Sequence, residues 1–100
     1  MDIIISKAVQ SDIKFIDHLQ RKNAEELAFY PKVTFEREIE SRRILLARVN
    51  GAPAGYLYFG AFGTTCKIHQ ACIEYDLRGQ LYGSELVKFF ISLCQGANVL

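Results

Sequence analysis

No apolar run in this chain approaches the roughly 18 residues that a membrane span requires, and no basic excess marks it for nucleic acid. Lys and Arg total 12 against 11 Asp and Glu, a formal charge of +1, whereas a general nucleic-acid binder carries a surplus of cations. The opening "MDIIISKAVQSD" has no basic stretch ahead of its short apolar run, so it does not read as a signal peptide. The three cysteines (Cys66, Cys72, Cys94) form no C-x-x-C pair, and there are only two histidines, His18 and His69. That is too little for a structural zinc site. Reduced thiols in a cytoplasmic protein that holds no metal, touches no nucleic acid and enters no membrane are the expectation. Repeats, low-complexity stretches and linkers are also missing, which leaves one domain over residues 1–100.

What is present is ordinary globular material. Half of the residues are apolar and 23% are charged, so a core can form and disorder is excluded. "DIIISKAV" is rich in β-branched residues and predicts a first strand, Ile3 to Ala8. Ser11 or Asp12 is placed to cap a helix. Ile13, Ile16 and Leu19 space out its apolar face, with Lys14, Asp17, Gln20 and Arg21 toward water. A second helical stretch is expected near Glu25 to Phe29, broken at Pro31, and Thr34 can cap a third, Phe35 to Arg42.

From Ile44 the period shortens to two. "ILLARV" and "AGYLYFG" read as strands joined by "NGAP", in which Asn-Gly is a strong hairpin signal. "AFGTT" makes the next turn and leads to a strand from Lys67 to Ile73. A helix from about Ser84 to Gln95 follows. Its polar stripe of Glu85, Lys88, Ser92 and Gln95 is narrow, which predicts packing around most of its circumference. Gly96 ends it, and "ANVL" starts another strand. The order is β-α-α-β-β-β-α-β: an α/β (α+β) chain whose mixed sheet is an antiparallel meander followed by a parallel crossover strand.

One segment asks for more than a connection. In "CIEYDLRGQLYGSELVKFF", Arg78, Gly79 and Gly83 lie where a strand hands over to a helix, with no acidic residue between Asp76 and Glu85. The first amides of a helix have no intrahelical partner, and the helix dipole adds partial positive charge there. Small residues let an anion approach such amides. The plain alternative is an exposed loop whose glycines only relieve crowding.

The order of elements, the hairpin "RVNGAPAGYLYFG" and "IHQACIEYDLRGQLYGSELVKFF" together resemble the GNAT superfamily of acyl-CoA-dependent N-acyltransferases. Its signature, Q/R-x-x-G-x-G/A, reads here Arg78-Gly79-Gln80-Leu81-Tyr82-Gly83, with Leu81 where that family usually has its first signature glycine. The resemblance implies a site for the pyrophosphate of acetyl-CoA at the amides of Arg78, Gly79, Gln80, Leu81, Tyr82, Gly83 and Ser84. It also implies that the fourth and fifth strands splay apart, so that the pantetheine arm pairs with the backbone of Ala71, Cys72 and Ile73. The amide of Cys72 or Ile73 then polarises the thioester carbonyl. Leu81 retains its amide hydrogen and can donate if its backbone is right-handed, whereas at positive φ its Cβ intrudes.

The implied activity is transfer of an acetyl group to a primary amine, of a small molecule or a peptide, by direct attack. Cys72 reads as a small core residue rather than a nucleophile. No catalytic acid or base is assigned, although His69, Tyr75 and Tyr82 lie near. By the same resemblance the acceptor lies against "NAEELAFYPKVTF", where Glu25 and Glu26 attract an amine and Phe29 and Tyr30 form a wall. A CoA-binding domain without catalysis and a small interaction protein without CoA are the alternatives. The family continues past a strand such as "ANVL", so either a longer natural chain or a homodimer is expected to cover that edge.

Overall fold

The structure, a computed structural model, describes residues 3–24 and 29–94 and the backbone of residues 98–99. Strand β1 (Ile3–Lys7) leads through a 3-10 turn at Gln10–Asp12 into helices α1 (Ile13–Lys22) and α2 (Lys32–Glu40). Strands β2 (Ile44–Val49), β3 (Ala52–Phe62) and β4 (Thr65–Ile73) follow. A 3-10 turn at Tyr75–Leu77, helix α3 (Tyr82–Leu93) and strand β5 (Asn98–Val99) complete the chain. The sheet order is β1-β2-β3-β4-β5. The first four strands are antiparallel, and β5 is parallel to β4. This is the predicted order of elements.

Alternation along β2 builds both halves of the core. Ile44 and Leu46 join Ile13, Ile16, Leu19, Phe35 and Ile39 under α1 and α2. Leu45 and Ala47 join Leu86 and Phe90 under α3. A strand covered on both faces has no wet side, which explains why "ILLARV" is apolar almost throughout. Asn50 and Gly51 take φ of 51° and 85°, the two-residue turn whose twist matches its strands.

Each hairpin then absorbs one extra residue. The register slips between Ala47 and Arg48, which face Gly55 and Pro53, so Ala54 is the extra residue of β3. It slips again between Tyr58 and Phe59, which face Gln70 and Ile68, so His69 is the extra residue of β4. Bulges of this kind re-aim side chains and bend strands.

Several local expectations give way. Asp12 does not cap the first turn of α1; its buried carboxylate accepts the Val9 amide (2.9 Å) and the Arg48 guanidinium (2.7 Å). Asp17 and Gln20, expected in water, are 9% and 1% exposed. They hydrogen-bond to each other, Asp17 also to Arg21 and Gln20 also to Gln70 across the core, which removes the cost of burying them. Helix α2 starts at Lys32, with Pro31 as its cap residue in extended backbone (φ −60°, ψ 151°). A proline there forfeits no helical amide, and Thr34 lies inside the first turn. Arg42 is not helical but left-handed (φ 60°). It ends α2 with Arg42 and Arg43 donating to the Ile39 and Glu38 carbonyls. The helix expected at Glu25 to Phe29 falls largely on residues outside those described, as does Gly96; Phe29 is not helical.

Helix α3 begins two residues before Ser84 and buries the stripe Tyr82, Leu86, Phe90 and Cys94, with Val87 and Phe89 partly buried beside it. Ile91 and Leu93 are 50% and 44% exposed, so described residues do not pack the helix around most of its circumference. Among the described residues no helix is long and apolar enough to cross a membrane.

Two outcomes test this packing. A Cβ on Gly55 would stand 2.7 Å from the Cys72 carbonyl oxygen and overlap the Ile73 side chain. Gly55→Ala is therefore expected to cost about 1–3 kcal/mol in urea unfolding; a neutral result would mean that β3 and β4 separate easily there. Burial raises the Asp17 carboxyl pKa, but hydrogen bonds from Arg21 and Gln20 and the charges of Arg21 and Lys32 outweigh it and hold the value low. The unfolded chain thus binds this proton more readily than the folded one. The stability Asp17 confers over Asp17→Asn should be full above about pH 3.9 and fade as pH drops through the lower folded value. A difference that does not vary with pH in acid would remove this ion pair from the account.

Candidate functional site

The Glu74 amide donates to the Ala54 carbonyl at 2.8 Å. Antiparallel ladders alternate, so the backbones of Cys72 and Gln70 face β3 while those of Ala71 and Ile73 face the other edge. On that edge β5 pairs only with Thr65 and Cys66 among the described residues. From Lys67 to Ile73 no described strand lies beside that edge of β4. Of the two amides considered for a thioester carbonyl, Ile73's faces this edge and Cys72's belongs to the ladder with β3. The Cys72 side chain is 5% exposed and packs with Tyr56 under α1, the place of a core residue.

Past Ile73 the chain makes its 3-10 turn and reaches the signature. The Arg78 amide donates to the Tyr75 carbonyl (3.2 Å), so the amides open to a ligand begin after it. Its guanidinium braces the turn, with Nε on the Ile73 carbonyl (3.0 Å) and an outer nitrogen on Asn23 Oδ1 (2.7 Å) at the end of α1. Gly79 has φ 86°. Leu81 also has positive φ, 68°, and is the residue that caps α3. It therefore adopts the conformation expected of glycine, with its side chain 73% exposed. An outward side chain avoids the intrusion, and what persists is the backbone strain of a left-handed residue.

The helix start itself is open. No side chain caps α3, and among the described residues nothing accepts from the Gly83 or Ser84 amide. Tyr82 anchors this end, 7% exposed against Val49 and Ala54, and its hydroxyl donates to Gln80 Oε1 at 3.3 Å. Gly83 has ordinary φ, and a Cβ there would meet only Ile73 Cγ1 at 3.7 Å. The fold therefore does not need a glycine at this position, although glycine is a poor residue inside a helix. The amides border a pocket of about 330 Å³ between Ile73, Leu77 and the run from Arg78 to Ser84.

No protein-family model and no curated protein sequence matches the chain; the likeness lies in structure. N-acetylglutamate synthase from Neisseria gonorrhoeae, solved with coenzyme A and N-acetyl-glutamate, matches at TM-score 0.86 and 20% identity, over 96% of this chain and 23% of that one. The ribosomal-protein-S18-alanine N-acetyltransferase of Escherichia coli matches at 0.77 and 18%, over 93% and 59%. PaiA N-acetyltransferase from Thermoplasma acidophilum, in complex with coenzyme A, matches at 0.82 and 13%, over 95% and 73%. The fold is that of the GNAT acetyltransferases. This chain spans about a quarter of the synthase and three-fifths of the ribosomal-protein enzyme, so the chemistry must be argued from its own residues.

Within the GNAT fold the bulge gives His69 its place. The imidazole is half-buried, with its ring 4.9 Å from Tyr58 and 5.9 Å from Phe62. It lies over Gly60, where a Cβ would overlap the ring. His69 thus sits two residues from Ala71, on the open-edged strand. Tyr75 is 75% exposed in the turn, and Tyr82 is committed to the cradle, so neither shares that position. A second pocket, about 410 Å³ among Lys7, Gln10, Glu40 and Arg42, lies at the opposite end of the sheet. It borders the C-terminus of α2, whose partial negative charge disfavours an anion.

Leu81 and Gly83 separate strain from access. Relief of a left-handed leucine, about 1–2 kcal/mol, exceeds the entropy that glycine adds to the unfolded chain, about 0.5–1 kcal/mol. Leu81→Gly is expected to equal or exceed the parent in thermal stability. Gly83→Ala should be as stable as the parent or better, because the helix gains a better former and the contact at Ile73 is ordinary. Loss of stability in both variants would show that the turn is shaped otherwise.

Proposed function

We propose that this chain binds acetyl-CoA and transfers the acetyl group to a primary amine by direct attack. One observation carries the reading. A helix start without a side-chain cap opens on a pocket through a glycine that the fold does not need, beside a strand edge that no described strand covers. The amides from Gly79 to Ser84 hold the pyrophosphate, where backbone donors and the α3 dipole act together on a charged oxygen. The pantetheine arm lies along Ala71 and Ile73 as a strand would. The Ile73 amide, facing that edge, donates to the thioester carbonyl as negative charge develops on it. Coenzyme A in the synthase and PaiA structures supports this reading.

The amine, with a pKa near 10, must lose a proton before attack, and the departing thiolate, near 8.5, must gain one. His69 is the imidazole this geometry offers for the first transfer, directly or through one water. Cys72 takes no part, because its thiol is packed under α1 and direct attack needs no acyl-enzyme. The acceptor is a small molecule or a peptide terminus that reaches His69 from the side of Phe62 and Tyr30. A domain that binds CoA without transferring from it is the second reading, favoured by the strain at Leu81.

Calorimetry with CoA and thiol release from acetyl-CoA over a panel of amines decide between them. Gly83→Val should keep the fold and bind CoA at least about tenfold more weakly, the scale of one lost charge-assisted contact. Unchanged affinity in a folded variant would remove the turn from the site. Cys72→Ala should retain most of the activity, and no acetyl-cysteine should accumulate with acetyl-CoA alone. A one-acetyl mass gain at Cys72 that an amine then discharges would overturn the direct mechanism.

A further inference from the structure

The buried polar groups of the α1 face form one connected set that the transfer chemistry does not use. At its centre is Gln20, 1% exposed. Its Nε2 donates to the Tyr30 carbonyl (2.6 Å) and to Asp17 Oδ1 (3.1 Å). Its Oε1 accepts the Tyr30 amide (3.1 Å) and Gln70 Nε2 (3.3 Å). Gln70 in turn accepts the hydroxyl of buried Tyr56. Gln20 therefore treats Tyr30 as a neighbouring strand would, taking both its amide and its carbonyl. Among the described residues neither backbone group of Tyr30 has another partner.

We propose that Gln20 is a positioning residue for the acceptor side of the site, fixing the segment that enters α2 against β4. The inference rests on the acetyltransferase reading above. The path is short and continuous. With its backbone held, the Tyr30 ring stands edge-on to Tyr58, centroids 5.1 Å apart, and Tyr58 lies 4.9 Å from His69. The same carboxamide reaches β4 through Gln70, one residue before Ala71. An apolar side chain would pack at position 20 as well as Ile16 and Leu19 do beside it. Burying an amide is worthwhile here because every one of its bonds is made. Among the described residues Gln20 bonds to Tyr30, Asp17 and Gln70 and not to the turn from Gly79 to Ser84, so acceptor and cofactor effects should separate.

The test compares Gln20→Leu and Gln20→Glu with the parent. Hydrogen exchange at the Tyr30 amide should quicken about tenfold or more in Gln20→Leu, the scale of a lost buried hydrogen bond, while amides of β2 and β3 stay protected. CoA affinity by calorimetry should be unchanged. With the amine that releases thiol fastest from the parent, KM should rise about tenfold and kcat should hold. In Gln20→Glu the KM defect should shrink in acid, where a protonated carboxyl regains the donor for Tyr30; a merely structural residue would show no such recovery. Unchanged exchange at Tyr30, or a fall in CoA affinity equal to the rise in KM, would overturn the proposal. A parent chain that does not bind CoA would instead overturn the function on which it rests, with the exchange result still reporting whether Gln20 holds Tyr30.

Discussion

A backbone amide withdrawn from water needs an acceptor, and among the described residues the Gly83 and Ser84 amides and those on the outer edge of β4 have none, at the same place. The first turn of α3 has amides that no helical carbonyl can reach. The edge of β4 from Lys67 to Ile73 has amides that no described strand meets. The first set is a consequence of topology. A crossover helix must begin at the end of the strand that feeds it, and the two described residues of β5 pair with Thr65 and Cys66 at the other end of β4. The helix start and the open edge therefore converge on Ile73, whose carbonyl is taken by Arg78. Elsewhere Asp12, Asp17, Gln20 and Gln70 are all hydrogen-bonded, and no described buried side-chain polar atom lacks a partner. Against that background the open amides support the proposed CoA site.

Two irregularities keep the convergence in register. The slip at Ala54 follows Pro53, which can donate nothing to a ladder, and Ala54 packs with Tyr82 at the start of α3. The slip at His69 puts that residue and Gln70 on the same face of β4, under the helices α1 and α2. One turns its imidazole toward Tyr58 and Phe62, and the other joins the buried amides. Without the extra residue, His69 would fall on the α3 face and Gln70 alone would remain.

The larger features were legible because they rest on local chemistry. Asn50–Gly51 needs positive φ at both positions, and the apolar run in β2 needs cover on both faces, so hairpin and layers follow from residue type. The GNAT likeness was readable from element order and from Arg78, Gly79 and Gly83, despite Leu81. The bulge was not legible: "HQ" is a pair of polar residues, and no apolar residue marks where the alternation changes phase. Gln20 and Asp17 were misread for a related reason. A helical pattern sorts polar residues to water, whereas Gln20 is buried because Tyr30 and Gln70, 10 and 50 residues away, complete its bonds, and Asp17 accepts from Gln20 and Arg21. Distant partners leave no periodic trace. The start of α2 at Pro31 shows the same limit from the other side, since proline reads as a break until its own φ is seen to suit a helix entrance.

Leu81 joins the stability argument to the functional one. A left-handed leucine costs more than glycine in the same conformation, and its exposed side chain recovers little by packing. The turn nevertheless keeps the shape that leaves the α3 amides open. Two supports over-determine it: Tyr82 is sunk against Val49 and Ala54 on one side, and Arg78 is tied to Ile73 and Asn23 on the other. With both ends fixed, the residues between must turn back through positive φ whatever their type. The side chain at position 81 then affects stability and what approaches the pocket mouth, while the direction of the amides is set by its neighbours. The proposed cofactor site accordingly tolerates a side chain at 81, whereas a Cβ at 83 would enter the space beside Ile73.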